Sequence, residues 1–360
     1  MRHCARTRGP HQQSLVGGEG TGGCKQKYRA SRSAAGLRMA AALIGLLLAA
    51  PTITHAATCT TQAELNPQDR NTLASAGLQL GIAVIQQDFN SIQGTLLPAV
   101  AQQWEGMRGV IEQGASYVKG GQVQLNAIYL LDATSLTAPA DTQFFCSNTN
   151  GTLTVTVSMH SLPPGKYAVI LAYVLGAPAP AGQLGFILGL DNNAWKLGGL
   201  FLRPGVLSGH DGVWWWERAR ELAKQNLPWS GYFSYDAARY LLLPVDFISS
   251  PNLEKLGQEQ AQIKQSPAEA FPYSLPDGAR TWKINSVHFD PSLREADLAV
   301  TYESTGVTDP AAVRTEATAV LSALLKAQPS LRQNFHGLWA YATRDGKASP
   351  VMELPMTQIP

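Results

Sequence analysis

Charge is scarce in this sequence. Asp, Glu, Lys and Arg make up 15 % of its 360 residues, against roughly 25 % in an average globular chain, while 45 % are hydrophobic. That is a globular composition with a lean surface, long enough for two or three domains, each with its own core. Metal-ligand spacings are lacking too. There is no His-Glu-x-x-His motif and no closely paired cysteine, and His160, His210, His288 and His336 stand far apart, so zinc is not expected. No Gly-x-Ser-x-Gly elbow, Walker-type loop or dinucleotide fingerprint occurs. The pieces "KGGQ" and "KLGG" lack a strand–loop–helix setting and read as turns or bends, so no cofactor is expected. The apolar run at 39–50, "MAAALIGLLLAA", falls short of the about 20 residues that span a bilayer.

What surrounds that run gives it a meaning. A basic, polar stretch at 25–38 precedes it, and Pro51 and "TITHAA" follow, the order of a secretory signal. Thr54 and Ala56 satisfy the small-residue rule, so cleavage is expected after Ala56, with a retained anchor as the alternative. Removing 1–56 takes away eight of the 28 basic residues and one of the 26 acidic ones. The remaining chain carries a net charge of −5 instead of +2, without basic clusters, which argues against a nucleic-acid partner. Export also explains the cysteines. Cys4 and Cys24 leave with the leader, and Cys59 and Cys146 are expected to pair in an oxidising compartment. The rival, a lipidated Cys59, fits poorly because Thr58 is large for that position and no Leu stands three residues before the cysteine. No stable membrane span is expected after cleavage. An Asn-Gly-Thr sequon begins at Asn150.

Periodicity divides the rest into 57–204, a helical segment at 205–264, a Pro-rich linker at 265–279 and a small α+β unit at 280–360. Asn66, Pro67 and Asp69 open a helix carrying Leu73, Gly77, Leu80 and Val84, and a second helical stretch runs from Leu96 to Ile111. Period two then takes over. Val123, Leu125, Ala127, Tyr129 and Leu131 share one face, and Val155, Val157 and Met159 alternate with Thr and Ser. The stretch after Pro163–Gly165 is apolar on both faces and reads as central. Asp191-Asn192-Asn193 marks a hairpin, and Gly198-Gly199 a bulge or bend. The expected fold class is α+β: helices plus a curved antiparallel sheet, then a central helical hairpin, then the C-terminal unit.

Helices followed by a curved sheet whose last strand reads "WKLGGLFLRP" resemble the nuclear transport factor 2-like, or ketosteroid-isomerase-like, fold over about residues 63–204. The resemblance implies a cone that holds either an apolar ligand or an acid in an apolar pocket. Carboxylates within reach would be Asp88, Asp132 and Asp191, with hydroxyls from Tyr129 and Tyr173. None of those acids sits mid-strand on an inward face.

The stretch "VWWWERARELAK" reads as a helix with His210-Asp211 as a loop pair, Asp211 being its cap. Trp215, Ala219, Leu222, Ala223 and Asn226 form one stripe. Three successive helical positions spread over about 200°, so the tryptophans do not make one flat platform. Trp215 heads the stripe, Trp216 borders it, and Trp214 points away toward the preceding domain. Candidate binding residues are therefore Trp214, Trp216, Tyr129 and Tyr173; no catalytic or metal residue is assigned. The functional expectation is an exported, periplasmic or secreted non-catalytic protein that binds an apolar small molecule or a protein partner. The alternatives are a metal-independent isomerase, cyclase or dehydratase, and a structural envelope protein.

Overall fold

Asn66 shows how closely local chemistry fixes the first element: its side chain accepts the Asp69 amide at 2.9 Å, and Pro67 starts the helix. The computed structural model describes residues 57–147, 151, 153–176 and 182–360. The expected leader, its expected cleavage site and Asn150 lie outside them. In chain order the N-terminal half contains β1 (Thr58–Thr61), α1 (Pro67–Gln86), α2 (Phe89–Gly94), a 3-10 turn (Pro98–Gln103) and α3 (Trp104–Val118). There follow β2 (Gln122–Asp132), β3 (Ala140–Ser147), β4 (Thr154–Leu162), β5 (Lys166–Leu175), β6 (Gly182–Asp191) and β7 (Ala194–Pro204).

Strands β1-β2-β5-β6-β7 form an antiparallel sheet with β5 at its centre. Alternation along β5 explains why it is apolar throughout. Ala168, Ile170, Ala172 and Val174 face a core shared with α1 and α3, while Val169 and Leu171 face a second core under β3 and β4. Gly77 and Gly81 let α1 lie directly on the sheet: a β-carbon at either would come within 2.8 Å of Ile170 or Val123. The interval between the helices and this sheet is packed. Leu73, Ile92, Ile111, Ile128, Ile170 and Phe186 are all fully buried in it. The β6–β7 hairpin turns through Asn192 and Asn193, both with positive φ, as their short polar side chains allow. Gly198 is the extra residue of a bulge, because Ile187 pairs with Gly199 and Leu188 with Leu197.

One strand departs from its sequence pattern. Val123 and Leu125 of β2 face the helices, but the register shifts between Leu125 and Ala127, and Ile128 and Leu130 then take that face. Ala127, Tyr129 and Leu131 turn to the opposite core. Unbroken alternation from 123 to 131 is thus corrected by one bulge at Asn126.

The C-terminal half contains α4 (Gly212–Lys224), α5 (Pro228–Leu242), β8 (Ile248–Ser249), α6 (Pro251–Ala261), α7 (Pro267–Ala270), β9 (Tyr273–Asp277), β10 (Arg280–Asp290) and β11 (Asp297–Glu303). It closes with α8 (Pro310–Ala327), α9 (Leu331–Asn334), β12 (Gly337–Arg344), β13 (Lys347–Pro355) and a 3-10 turn (Met356–Gln358). The sheet order is β13-β12-β11-β10-β9, antiparallel except for β11 and β12, which are parallel and joined through α8. Helices and mainly antiparallel sheets make this an α+β protein.

Two expected boundaries differ from the structure. The helical segment is not a separate piece: Trp215, Phe233 and Leu241 share one core with Leu298, Val300, Leu321 and Leu338. Its β8 pairs with β4, completing a three-stranded sheet β3-β4-β8. Nor is 265–279 a free linker, since β9 pairs with β10 through Leu275↔Trp282. Prolines do not prevent this: Pro267 opens α7, and Pro276 sits on an edge strand, where no ladder donor is needed. Among the described residues no helix is long and apolar enough to cross a membrane.

Between α5 and α6, Gln260 Nε2 donates to Asp236 Oδ1 at 2.7 Å and to the Tyr232 carbonyl at 3.2 Å. Burial pushes the Asp236 carboxyl up to about 6, from 3.8. The folded state thus holds this proton more tightly than the unfolded chain, so its ionisation destabilises the fold as pH rises from about 4 through about 6. Asp236→Asn keeps the acceptor and removes the charge. It is expected to gain about 1–2 kcal/mol at pH 8 and nothing at pH 4. Urea midpoints at both pH values test this; an equal gain at both would refute it.

Candidate functional site

The tryptophan helix begins where the chain leaves β7. Leu207 and His210 bridge a tight turn through Ser208 and Gly209, both with positive φ, and Asp211 caps α4 by accepting the Trp214 amide at 2.8 Å. Three tryptophans then meet three environments. Trp215 is 2 % exposed, lies nearly parallel to the Phe335 ring at 6.1 Å and donates to the Leu207 carbonyl. Ala219 and Leu222 continue its buried stripe, but Ala223 and Asn226 are exposed.

Trp216 is locked into a polar knot. Its Nε1 donates to Glu259 at 2.7 Å, and the Arg220 guanidinium lies 4.3 Å over its ring. Arg220 donates twice to the same carboxylate, at 2.8 and 2.9 Å, and the Tyr235 hydroxyl donates to it at 3.3 Å. The Arg220 bonds foremost hold the Glu259 carboxyl below its usual range, while burial and then Glu259 push Tyr235 up to about 12. This knot ties α4, α5 and α6 together. The adjoining cleft of about 440 Å³ thus carries the mutually satisfied Arg220–Glu259 pair in its wall, beside Lys224 and Lys264.

Trp214 has its ring partners within its own segment, His210 and Trp215. The Leu207–His210 turn folds the imidazole back onto it, at 3.6 Å and nearly parallel, and leaves the indole 38 % exposed. What packs at the seam instead is the start of α4 beside the end of α5, where a β-carbon on Gly212 would lie 2.7 Å from Leu242.

That seam holds a groove of about 340 Å³. Its walls are Tyr173, Leu175 and Gln183 from β5 and β6, Val213 from α4, and Leu241 and Leu242 from α5. Tyr173, Leu175 and Val213 are exposed apolar side chains, Val213 the most so at 53 %. The polar group at the floor is already paired: buried Gln183 donates through Nε2 to the Leu241 carbonyl at 2.6 Å and to that of Pro204 at 3.4 Å. The Tyr173 hydroxyl, at the rim, lies 3.5 Å from Asn126 Nδ2.

Of the four candidate binding residues, then, Tyr173 lines the groove and Trp214 is the neighbour of Val213 in sequence. Trp216 is committed to Glu259. Tyr129 is half-buried beside the second core, and burial raises its hydroxyl pKa. Leu175, Gln183, Val213 and Leu242 escape a sequence reading because they lie on four elements. The acids considered for catalysis all have structural partners. Asp88 caps α2 through the Ser91 amide and hydroxyl, Asp132 accepts the Thr134 amide and hydroxyl, and Asp191 pairs with Lys196 at 2.9 Å. The predicted disulfide joins Cys59 of β1 to Cys146 of β3. The chain matches no protein-family model, no curated protein and no solved structure.

Proposed function

We propose that this is an exported, non-catalytic protein that binds a small apolar molecule in the seam groove. The observation that carries the reading is the groove itself: exposed Tyr173, Leu175 and Val213 converge over a floor whose polar group is already satisfied. Its volume of about 340 Å³ falls in the range of small-molecule sites, roughly 300–1,000 Å³. An apolar occupant fits because the polar side chains of the lining are already engaged, Gln183 donating to two carbonyls and Asp211 accepting the Trp214 amide. The packing of the interval between α1, α3 and the sheet supports a site at the seam rather than in the cone interior that the nuclear transport factor 2-like resemblance implies. The structural roles of Asp88, Asp132 and Asp191 favour binding over catalysis. The Cys59–Cys146 bond supports an oxidising compartment.

Titration with the fluorescent apolar probe N-phenyl-1-naphthylamine tests the reading. The whole chain is expected to bind one probe saturably. Val213→Asp is expected to weaken binding about tenfold, the equivalent of one valine side chain withdrawn from apolar contact. Because Val213 is exposed, the urea midpoint should stay put. Absence of saturable binding, or a Val213→Asp affinity equal to wild type, would remove the groove from consideration.

A further inference from the structure

Far in sequence from one another, Asp297, His336 and Glu353 meet at one end of the C-terminal sheet. Asp297 opens β11, His336 immediately precedes β12, and Glu353 lies on β13, so three neighbouring chain segments of the sheet supply one side chain each. One potential ligand atom from each falls within 4.8 Å of the others. Asp297 is fully buried. Its Oδ1 lies 2.9 Å from His336 Nδ1, and its Oδ2 has no partner. Glu353 Oε1 is likewise buried and unpartnered. Two orphaned carboxylate oxygens, one on each acid of a single cluster, are costly unless something positive joins them. Gly337 keeps the gap between the acids open: a β-carbon there would sit 2.9 Å from Glu353 Oε1 and 3.1 Å from Asp297 Oδ1.

We propose that Asp297, His336 and Glu353 bind one divalent transition-metal ion of the zinc class. One imidazole nitrogen and two carboxylate oxygens form a donor set suited to Zn²⁺ and its neighbours. Tetrahedral zinc places its donors about 3.3 Å apart, given bonds of about 2.0–2.2 Å. On loading, the wider separations, up to 4.8 Å, therefore close by an ångström or so while the 2.9 Å Asp297–His336 contact opens slightly, movements within reach of Glu353 on its edge strand. The His336 side chain is 39 % exposed, which leaves a solvent-facing position for a fourth ligand. The sequence concealed this set because only strand pairing brings the residues together.

The test uses the whole untagged chain, stripped with chelator and titrated with Zn²⁺ by calorimetry and with Co²⁺ by visible absorption. One ion per chain is expected, with the intense Co²⁺ bands of a tetrahedral nitrogen–oxygen site. His336→Gln and Glu353→Gln should each weaken Zn²⁺ binding by about 10–100-fold, on the scale of losses at metal sites. Gly337→Ala should weaken it while leaving all three ligands present. His160→Gln, altering the exposed His160–Asp141 pair, should change nothing. Lack of saturable Zn²⁺ uptake, only the faint Co²⁺ absorption of hydrated surface ions, or unchanged affinity in His336→Gln and Glu353→Gln would each overturn the proposal. The wild-type Co²⁺ spectrum decides the matter even if a variant fails to fold.

Discussion

Trp215→Ala is expected to lower the unfolding free energy by about 3–5 kcal/mol, the cost of deleting a large buried ring, while Trp214→Ala costs less than about 1.5 kcal/mol. The contrast follows from surroundings rather than residue type. Trp215 is 2 % exposed and touches the Leu207 turn, Trp214 and Phe335. Its removal opens a hole where α4 meets the C-terminal core, and rigid neighbours fill such holes only partly. Trp214 is 38 % exposed and loses mainly a stack on His210 and an edge contact with Trp215. An aromatic stack of that kind is worth about 0.5–1.5 kcal/mol. Urea midpoints of the two variants at equal m-value give the comparison. Equal, negligible shifts would mean that Trp215 is not core and that the trio serves recognition. A large shift for Trp214→Ala as well would mean that the His210 stack holds the chain's passage into α4.

These tryptophans also show what the sequence discloses. Features decided within a turn or two were legible: the Asn66 and Asp211 caps, the Asn192-Asn193 hairpin, the central place of β5 and the buried stripe from Trp215 to Leu222. In each, one local hydrogen bond or one period of side-chain alternation carries the information. Features that depend on what arrives from elsewhere were not legible. The bulge at Asn126 reverses the faces of β2, but from Ala127 to Leu131 both faces are apolar, so that stretch reads the same with or without it. The prolines of 265–279 suggested a linker because their neighbours, the edge position of β9 and the start of α7, exist only in the folded sheet. Trp216, at the border of the stripe, read as a binding candidate because its partner Glu259 lies 43 residues away. The groove and the Asp297–His336–Glu353 set fail to show for the same reason: their members lie on separate elements, and no local period links them.

The disulfide was legible by elimination, and its removal should be nearly as costly as losing Trp215. Cys59–Cys146 closes a loop with a sequence separation of 87, for which the chain-entropy account gives about 4–5 kcal/mol and measured losses run about 2–5 kcal/mol. Its position suggests a value within that span. Cys59 lies on β1 at the edge of the five-stranded sheet, and Cys146 on β3 of the three-stranded sheet that covers it, in the core with Phe144, Val157 and Leu171. The bond therefore clamps two sheets at one edge, where β1 is held otherwise by four residue pairs with β2. Cys59→Ala alone should cost nearly as much as Cys59→Ala with Cys146→Ala, because either change opens the same loop and the two losses do not add. Wild type unfolded in a strong reductant should fall to the same midpoint, which separates the covalent constraint from the packing of the sulfur atoms. A double variant as stable as the oxidised wild type would show that the sheets hold the edge unaided. A reduced wild type much more stable than the double variant would place the cost in the Cys146 cavity instead of the bond.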